Sequence, residues 1–163
     1  MKRLLFAALA LAACSRRAPN APAEYRPADA SFSATLPGGW KVDDAPDETN
    51  KASFFGPPSG PAAWTELIRV SLEQRTPEAY RASRSGLPSP LTPAAFGGPR
   101  AREFLNDAEV PDPHGGVKKR SSRFVLIPTS KGLFVLEHTW PSGAPAGGDA
   151  FEVLLRTFKP KTP

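Results

Sequence analysis

Arg123-Phe124-Val125-Leu126-Ile127-Pro128-Thr129-Ser130-Lys131-Gly132-Leu133-Phe134-Val135-Leu136-Glu137-His138-Thr139-Trp140 is the stretch that decides the fold. It holds two runs, 123–127 and 133–140, with apolar residues at successive positions rather than at every second one. A strand with one wet face alternates; a strand covered on both faces does not need to. Pro128 to Gly132 has the length and residue chemistry of a hairpin loop. The stretch therefore predicts two adjacent antiparallel strands in the middle of a sheet, buried on both sides.

Further strands follow outward from this hairpin. From Trp64 to Leu72 the pattern alternates, with Trp64, Glu66, Ile68, Val70 and Leu72 on one side and Thr65, Leu67, Arg69 and Ser71 on the other. Phe32–Leu36, Trp40–Val42 and Ala52–Phe55 read as shorter strands, with Pro37-Gly38-Gly39 as the turn between the first two. Pro99–Phe104 is another, with Arg100, Arg102 and Phe104 on one side. Two helices are expected. Thr76 is placed to cap the first, Pro77 suits its opening turn, and Gly86 and Pro88 end it. The second runs from Asp149 to Phe158, where Phe151, Leu154, Leu155 and Phe158 make one apolar face; Arg156 and Lys159 suit its C-terminal end and Pro160 stops it. The fold class is α+β, an antiparallel β-sheet flanked by helices, in a single domain over residues 32–160. Gly86–Gly98 and Asn106–Gly116 read as long loops, of the kind that are either functional or mobile.

The N-terminus says where the chain is held. Lys2 and Arg3 precede the apolar run Leu4–Ala13, and Leu11-Ala12-Ala13-Cys14 follows, with Cys14 the only cysteine. The run is far short of the roughly 20 apolar residues a membrane-spanning helix needs. The arrangement resembles a bacterial lipoprotein signal peptide ending in a lipobox. That resemblance implies a signal peptide over 1–13, a diacylglyceryl group on the Cys14 sulfur, and Cys14 as the new N-terminus. The membrane then becomes a partner through the lipid anchor. Ser15, in place of an Asp, implies sorting to the outer membrane, facing the periplasm, where the envelope has one. With one cysteine the mature chain holds no internal disulfide and relies on core packing. Residues 14–31, with Pro19, Pro22 and Pro27, read as a Pro/Ala-rich tether reaching up to roughly 50 Å. Arg16 and Arg17 read as solvated charges within it. Loss of Lys2 and Arg3 lowers the formal net charge of +5 to +3, too mild for a nucleic-acid partner.

Phe32-Ser33-Ala34-Thr35-Leu36-Pro37-Gly38-Gly39-Trp40-Lys41-Val42 resembles the opening of domains related to PsbP, the extrinsic photosystem II subunit. Phe54-Phe55-Gly56-Pro57, the helix opening Thr76-Pro77-Glu78-Ala79-Tyr80 and the closing run Phe151–Pro160 follow in the same order as in that family. The resemblance implies an α/β/α sandwich. For function it implies binding of a protein partner or help in assembling a membrane complex, without photosystem binding being carried over.

The residues that carry chemistry elsewhere have ordinary readings here. His114 lies near Asp112 and Glu109, too few donors at useful spacing for zinc, and reads as a solvated loop residue. His138 alternates with Leu136 and Trp140 and reads as a hydrogen-bonded core histidine. Asp43-Asp44 and Asp47-Glu48 read as solvated, and the pairs Gly115-Gly116 and Gly147-Gly148 as turns. No nucleophile elbow or phosphate-binding loop occurs. No catalytic, cofactor or metal residue is therefore assigned; the one assigned site is Cys14. Trp40, Trp64 and Trp140 read as core. Lys118-Lys119-Arg120 with Arg123 either faces an anionic surface or guards an edge strand against aggregation. The expectation is a non-enzymatic, membrane-anchored envelope lipoprotein that binds an envelope protein partner or helps a complex assemble. The alternative is a ligand-binding or hydrolytic periplasmic domain with its site in the long loops.

Overall fold

A computed structural model describes residues 21–43, 47–57, 66–111, 115–144 and 148–161. The described chain runs β1 (Ala23–Tyr25), β2 (Phe32–Leu36), β3 (Lys41–Asp43), β4 (Asn50–Phe55), β5 (Leu67–Glu73), α1 (Pro77–Ala82), β6 (Leu87–Pro88) and β7 (Thr92–Pro93). It continues through β8 (Arg102–Pro111), β9 (Val117–Thr129), β10 (Gly132–Pro141), α2 (Gly148–Thr157) and β11 (Lys159–Pro160). The strands form an antiparallel eight-stranded sheet, ordered β3-β4-β5-β10-β9-β8-β6 with β7 also on β8, and a three-stranded sheet ordered β1-β2-β11. Signal peptide 1–13, Cys14, Arg16, Arg17, Asp44, Trp64, Asp112, His114 and Gly147 lie outside the described residues.

The hairpin β9–β10 sits in the middle of the large sheet, as its apolar runs predict. Phe124, Val125, Leu126, Ile127, Leu133, Phe134, Val135 and Leu136 are all buried. They divide by parity between two cores. Val125, Ile127, Phe134 and Leu136 face the larger core, with Ile68 and Val70 of β5 and Phe54 of β4. Phe124, Leu126, Leu133 and Val135 face the smaller one, with Tyr80 of α1 and Phe104 of β8. Burying an aromatic or large aliphatic side chain contributes about 1.5–3 kcal/mol, so the larger cluster sets most of the stability.

The larger core is closed by α2 and the small sheet. Phe151, Leu154 and Leu155 of α2 meet Phe32, Ala34 and Leu36 of β2 there. Phe32, Phe134 and Phe158 pack as a triangle of rings, with centroids 6.3, 5.2 and 5.4 Å apart. The helix stops one residue before the expected Phe158. Thr157 ends it, donating its hydroxyl to the Val153 carbonyl at 2.8 Å and accepting the Thr35 N–H at 2.8 Å. Lys159 and Pro160 then pair with β2 as β11; an edge strand tolerates the missing Pro N–H. The first helix opens as predicted, with Thr76 Oγ1 accepting the Ala79 N–H at 3.2 Å. It spans six residues and closes at Ser83.

Five expectations change. Helical flanking is slight: α1 and α2 are short, and much of the cover on the larger core is the three-stranded sheet. Residues 23–25, inside the stretch read as a tether, pair with β2, so folded structure begins ahead of Phe32. The expected loop from Asn106 is strand as far as Pro111, in register with β9 along its whole length. Its polar sequence hides it, because a ladder on β9 holds the backbone while half the side chains face water. The expected loop 86–98 lies along the β8 edge as β6 and β7, with the Arg81 guanidinium donating to the Ser89 and Pro88 carbonyls. Finally, β9 is an interior strand between β10 and β8 from Arg120 onward, while Lys118 and Lys119 extend past the end of β10 and pair with β8 alone.

Candidate functional site

The face of the large sheet that carries α1 changes character halfway along its strands. On β10 the residues on this side run Leu133, Val135, Glu137, Thr139, and on β9 they run Leu126, Phe124, Ser122. On β8 the switch is Phe104 to Asn106. Cross-strand register aligns these switches. Asn106, Ser122 and Thr139 form one row across β8, β9 and β10, and Phe124, Glu137 and Arg69 form the next across β9, β10 and β5. Most of the buried polar side chains among the described residues stand here: Ser53, Ser71, Asn106, Ser122, Glu137 and Thr139. Helix α1 covers the apolar half. Next to it lies an open cleft of about 330 Å³ whose lining includes Asn50, Arg69, Ser71, Tyr80, Arg84 and Glu137.

Glu137 is the centre of the cleft. The residue is only 9% exposed, and its carboxylate stands between two guanidiniums, 3.8 Å from Arg69 and 3.9 Å from Arg84. Both distances are ion-pair rather than hydrogen-bond lengths. The hydrogen bond it does accept comes from Thr139 Oγ1 at 3.2 Å, and that hydroxyl is 2.9 Å from Ser122 Oγ. Arg84 is delivered by the chain leaving α1 and lies over two rings, 5.1 Å from the Phe124 centroid and 5.6 Å from that of Tyr80. Asn106 fixes the same segment through Nδ2, which donates to the Ser85 carbonyl at 2.9 Å. Burial pushes the Tyr80 phenol up to about 12, against the opposing charge of Arg84. Arg84 Nε and Asn50 Oδ1, a donor and an acceptor, are buried without a hydrogen-bond partner.

Sequence reasoning did not single out Arg69, Arg84 or Glu137. A signal was present: Glu137 is the one carboxylate in the run 132–140, and a charge inside an apolar strand is costly unless partnered. Its partners sit on other elements, and only the register joins them.

The opposite face holds a second polar group. His138, 1% exposed, faces Glu66 Oε2 through Nε2 at 3.0 Å, with its ring 5.1 Å from both Phe151 and Trp140. This is the hydrogen-bonded core histidine expected. Arg123 donates to Glu103 at 2.7 and 3.1 Å and to Glu152 of α2 at 2.6 Å, joining helix to sheet. Trp40 and Trp140 are half-buried at this level, Trp40 packed against the larger core. Asp47 accepts the N–H groups of Asn50 and Thr49, which hold its carboxyl below the usual range. Glu109 is exposed, 3.9 Å from Lys119.

His138 makes stability depend on pH. Burial lowers its pKa despite Glu66 beside it, and Arg123 acts in the same direction as burial. The unfolded state therefore takes up the proton first. The contribution is complete above about 6.5 and declines as pH falls from there toward the folded-state value, by up to about 1.4 kcal/mol per pH unit. Denaturant unfolding at pH 7.5, 6.5, 5.5 and 5.0 is expected to show this slope and His138→Gln to flatten it. An unchanged slope in the variant would assign the pH dependence elsewhere.

No family model and no curated protein matches the chain. Solved structures do. A Bacteroides thetaiotaomicron structure matches with a TM-score of 0.57 and 16% identity over 85% of this chain and 48% of the other, so the chain spans about half of that protein. LpqN of Mycobacterium tuberculosis, described as involved in cell envelope biogenesis, matches with a TM-score of 0.52 and 14% identity over 86% of this chain and 91% of LpqN. At these identities the likeness is one of fold. Among the described residues no helix is long and apolar enough to cross a membrane.

Proposed function

We propose that this chain is a lipid-anchored cell-envelope protein whose PsbP-like domain is a non-catalytic binding module, holding a protein partner or a complex under assembly through the cleft beside α1. The observation that carries the reading is the Arg69–Glu137–Arg84 group. Two guanidiniums share one carboxylate at ion-pair distance, and a buried donor and acceptor next to them have no partner. The partly exposed guanidiniums of Arg69 and Arg84 offer charged donors to an incoming acidic group. The site's groups are poised for recognition rather than reaction. The Tyr80 phenol stays protonated at neutral pH, and His138 belongs to the opposite face. The lipobox ending in Cys14 supports the anchor, and Ser15 the outer membrane facing the periplasm where the envelope has one. The part of LpqN in envelope biogenesis supports the compartment.

A second reading has its own observation. A hollow of about 590 Å³ on the far side of β8 is lined by Gly86, Leu87, Asp107, Ala108, Glu109, Lys119 and Ser142, and Leu87 there is 82% exposed. It would suit a small ligand reached through the 86–98 segment. One experiment separates the two. Photo-crosslinkers placed at Ser71 and at Leu87 of the full-length protein are activated in intact envelopes. A discrete protein adduct at 71, falling about tenfold in Arg84→Gln, is expected; that fall corresponds to about 1.4 kcal/mol of binding. Adducts at 87 alone, or none at 71, would reject the cleft as the binding site.

A further inference from the structure

The outer face of the small sheet is basic, and β1 brings it close to the anchor point. Tyr25 of β1 and Phe32, Ala34 and Leu36 of β2 pack toward the larger core, so alternation sends Glu24, Arg26, Ser33 and Thr35 outward. On β11, Lys159 is opposite Ser33 and points the same way. Arg26, Ser33, Lys159 and Lys161 line a shallow hollow of about 300 Å³ on this face. Lys159 and Lys161 are exposed, and neither pairs with a carboxylate among the described residues. Among the described residues the one carboxylate on this face is Glu24, 2.9 Å from Arg26 in a pair open to water. Asp29, beyond the strand end, is taken up by Lys51 at 3.6 Å.

The short stretch between Cys14 and β1 limits how far this face can stand from a membrane. Residues 14–31 read as a free tether would let the domain stand well away from a membrane. Because β1 begins at Ala23, only nine residue steps separate it from Cys14, which is about 30 Å at full extension. That is less than the width of a domain this size. A chain held at Cys14 therefore keeps the start of β1, and with it this sheet, within about 30 Å of the bilayer.

We propose that the outer face of the β1-β2-β11 sheet docks on an anionic lipid bilayer, with Arg26, Lys159 and Lys161 engaging lipid phosphates across the hollow floored by Ser33. This rests on the anchor reading of Cys14 for proximity, while the charge arrangement stands apart from it. Docking would orient the domain with the small sheet toward the lipid.

The test uses the native full-length protein, its mass first read for a lipid addition at Cys14. It is reconstituted into phosphatidylcholine vesicles with and without phosphatidylglycerol. Acetylation rates of Lys159 and Lys161 are followed by mass spectrometry, with Lys131 as a remote control. Slowing of Lys159 and Lys161 by about fivefold or more only with phosphatidylglycerol, relieved by 0.5 M salt, is expected. Arg26→Glu/Lys161→Glu should abolish the protection of Lys159. Equal rates in both vesicles, or protection that ignores lipid charge, would overturn the proposal. So would protection by inorganic phosphate alone, which marks a free-anion site. If the mass shows no lipid, the anchor reading fails. The same vesicles are then added to the soluble protein, where charge-dependent protection of Lys159 and Lys161 would uphold the docking face and its absence would reject it.

Discussion

Replacing Phe124 by alanine is expected to cost about 3–5 kcal/mol of stability, the range for emptying a fully buried aromatic site. Phe124 has no exposed surface. Its ring stacks on Phe104 with centroids 4.6 Å apart and planes 9° from parallel, meets Tyr80 at 6.0 Å and carries the Arg84 guanidinium at 5.1 Å. The smaller core contains few other residues, so neighbours cannot collapse into the space. Denaturant unfolding should show a lower midpoint at unchanged slope. The loss should also be local: α1 amides should exchange faster than those of β5. A loss below 1 kcal/mol, or uniform loosening of both cores, would contradict the two-core description.

Gly97→Val is expected to have an effect of similar size by a different route, about 2–5 kcal/mol. Gly97 lies at φ +89°, and a Cβ there would stand 2.7 Å from Ile127 Cγ1 and 3.1 Å from the Ala101 Cβ. A left-handed backbone costs a side chain about 1–2 kcal/mol, and overpacking adds about 1–3. Both neighbours are buried, so neither can swing aside. Gly98 supplies the control: its φ is +87°, but a Cβ there meets nothing within 4 Å. Gly98→Ala should therefore cost only about 1–2 kcal/mol, for the backbone alone. Equal losses at the two positions would show that packing on Ile127 is not what holds the 86–98 segment to the sheet.

Features set by neighbours in the chain were legible in the residues. The β9–β10 hairpin follows from two apolar runs around the turn residues Pro128–Gly132, although pairing runs on to Thr129 and Gly132 and leaves only Ser130 and Lys131 as the turn. Thr76 capping α1 and the apolar stripe of α2 follow from spacing alone. The core role of His138 follows from its alternation with Leu136 and Trp140. Such signals depend on a period or a cap, and both act within a few residues.

Where partners are distant in sequence, the residues were silent. The N-terminal strand Ala23–Tyr25 lies in a Pro/Ala-rich stretch and is a strand because β2 offers its edge. The polar half of β8 reads as loop, and pairing with β9 makes it strand. Pro160, a stop signal locally, instead belongs to an edge strand.

The division is sharpest in the cleft and on the small sheet. By itself the sequence determined the α+β class, the central hairpin, both helices and the resemblance to an anchored envelope protein, because each rests on local pattern. Only the tertiary structure decided that Glu137 meets Arg69 and Arg84, and that Arg26 shares a face with Lys159 and Lys161. Side-chain chemistry is written residue by residue, but its juxtaposition depends on strand register, and register is settled by how both faces of the sheet are buried at once.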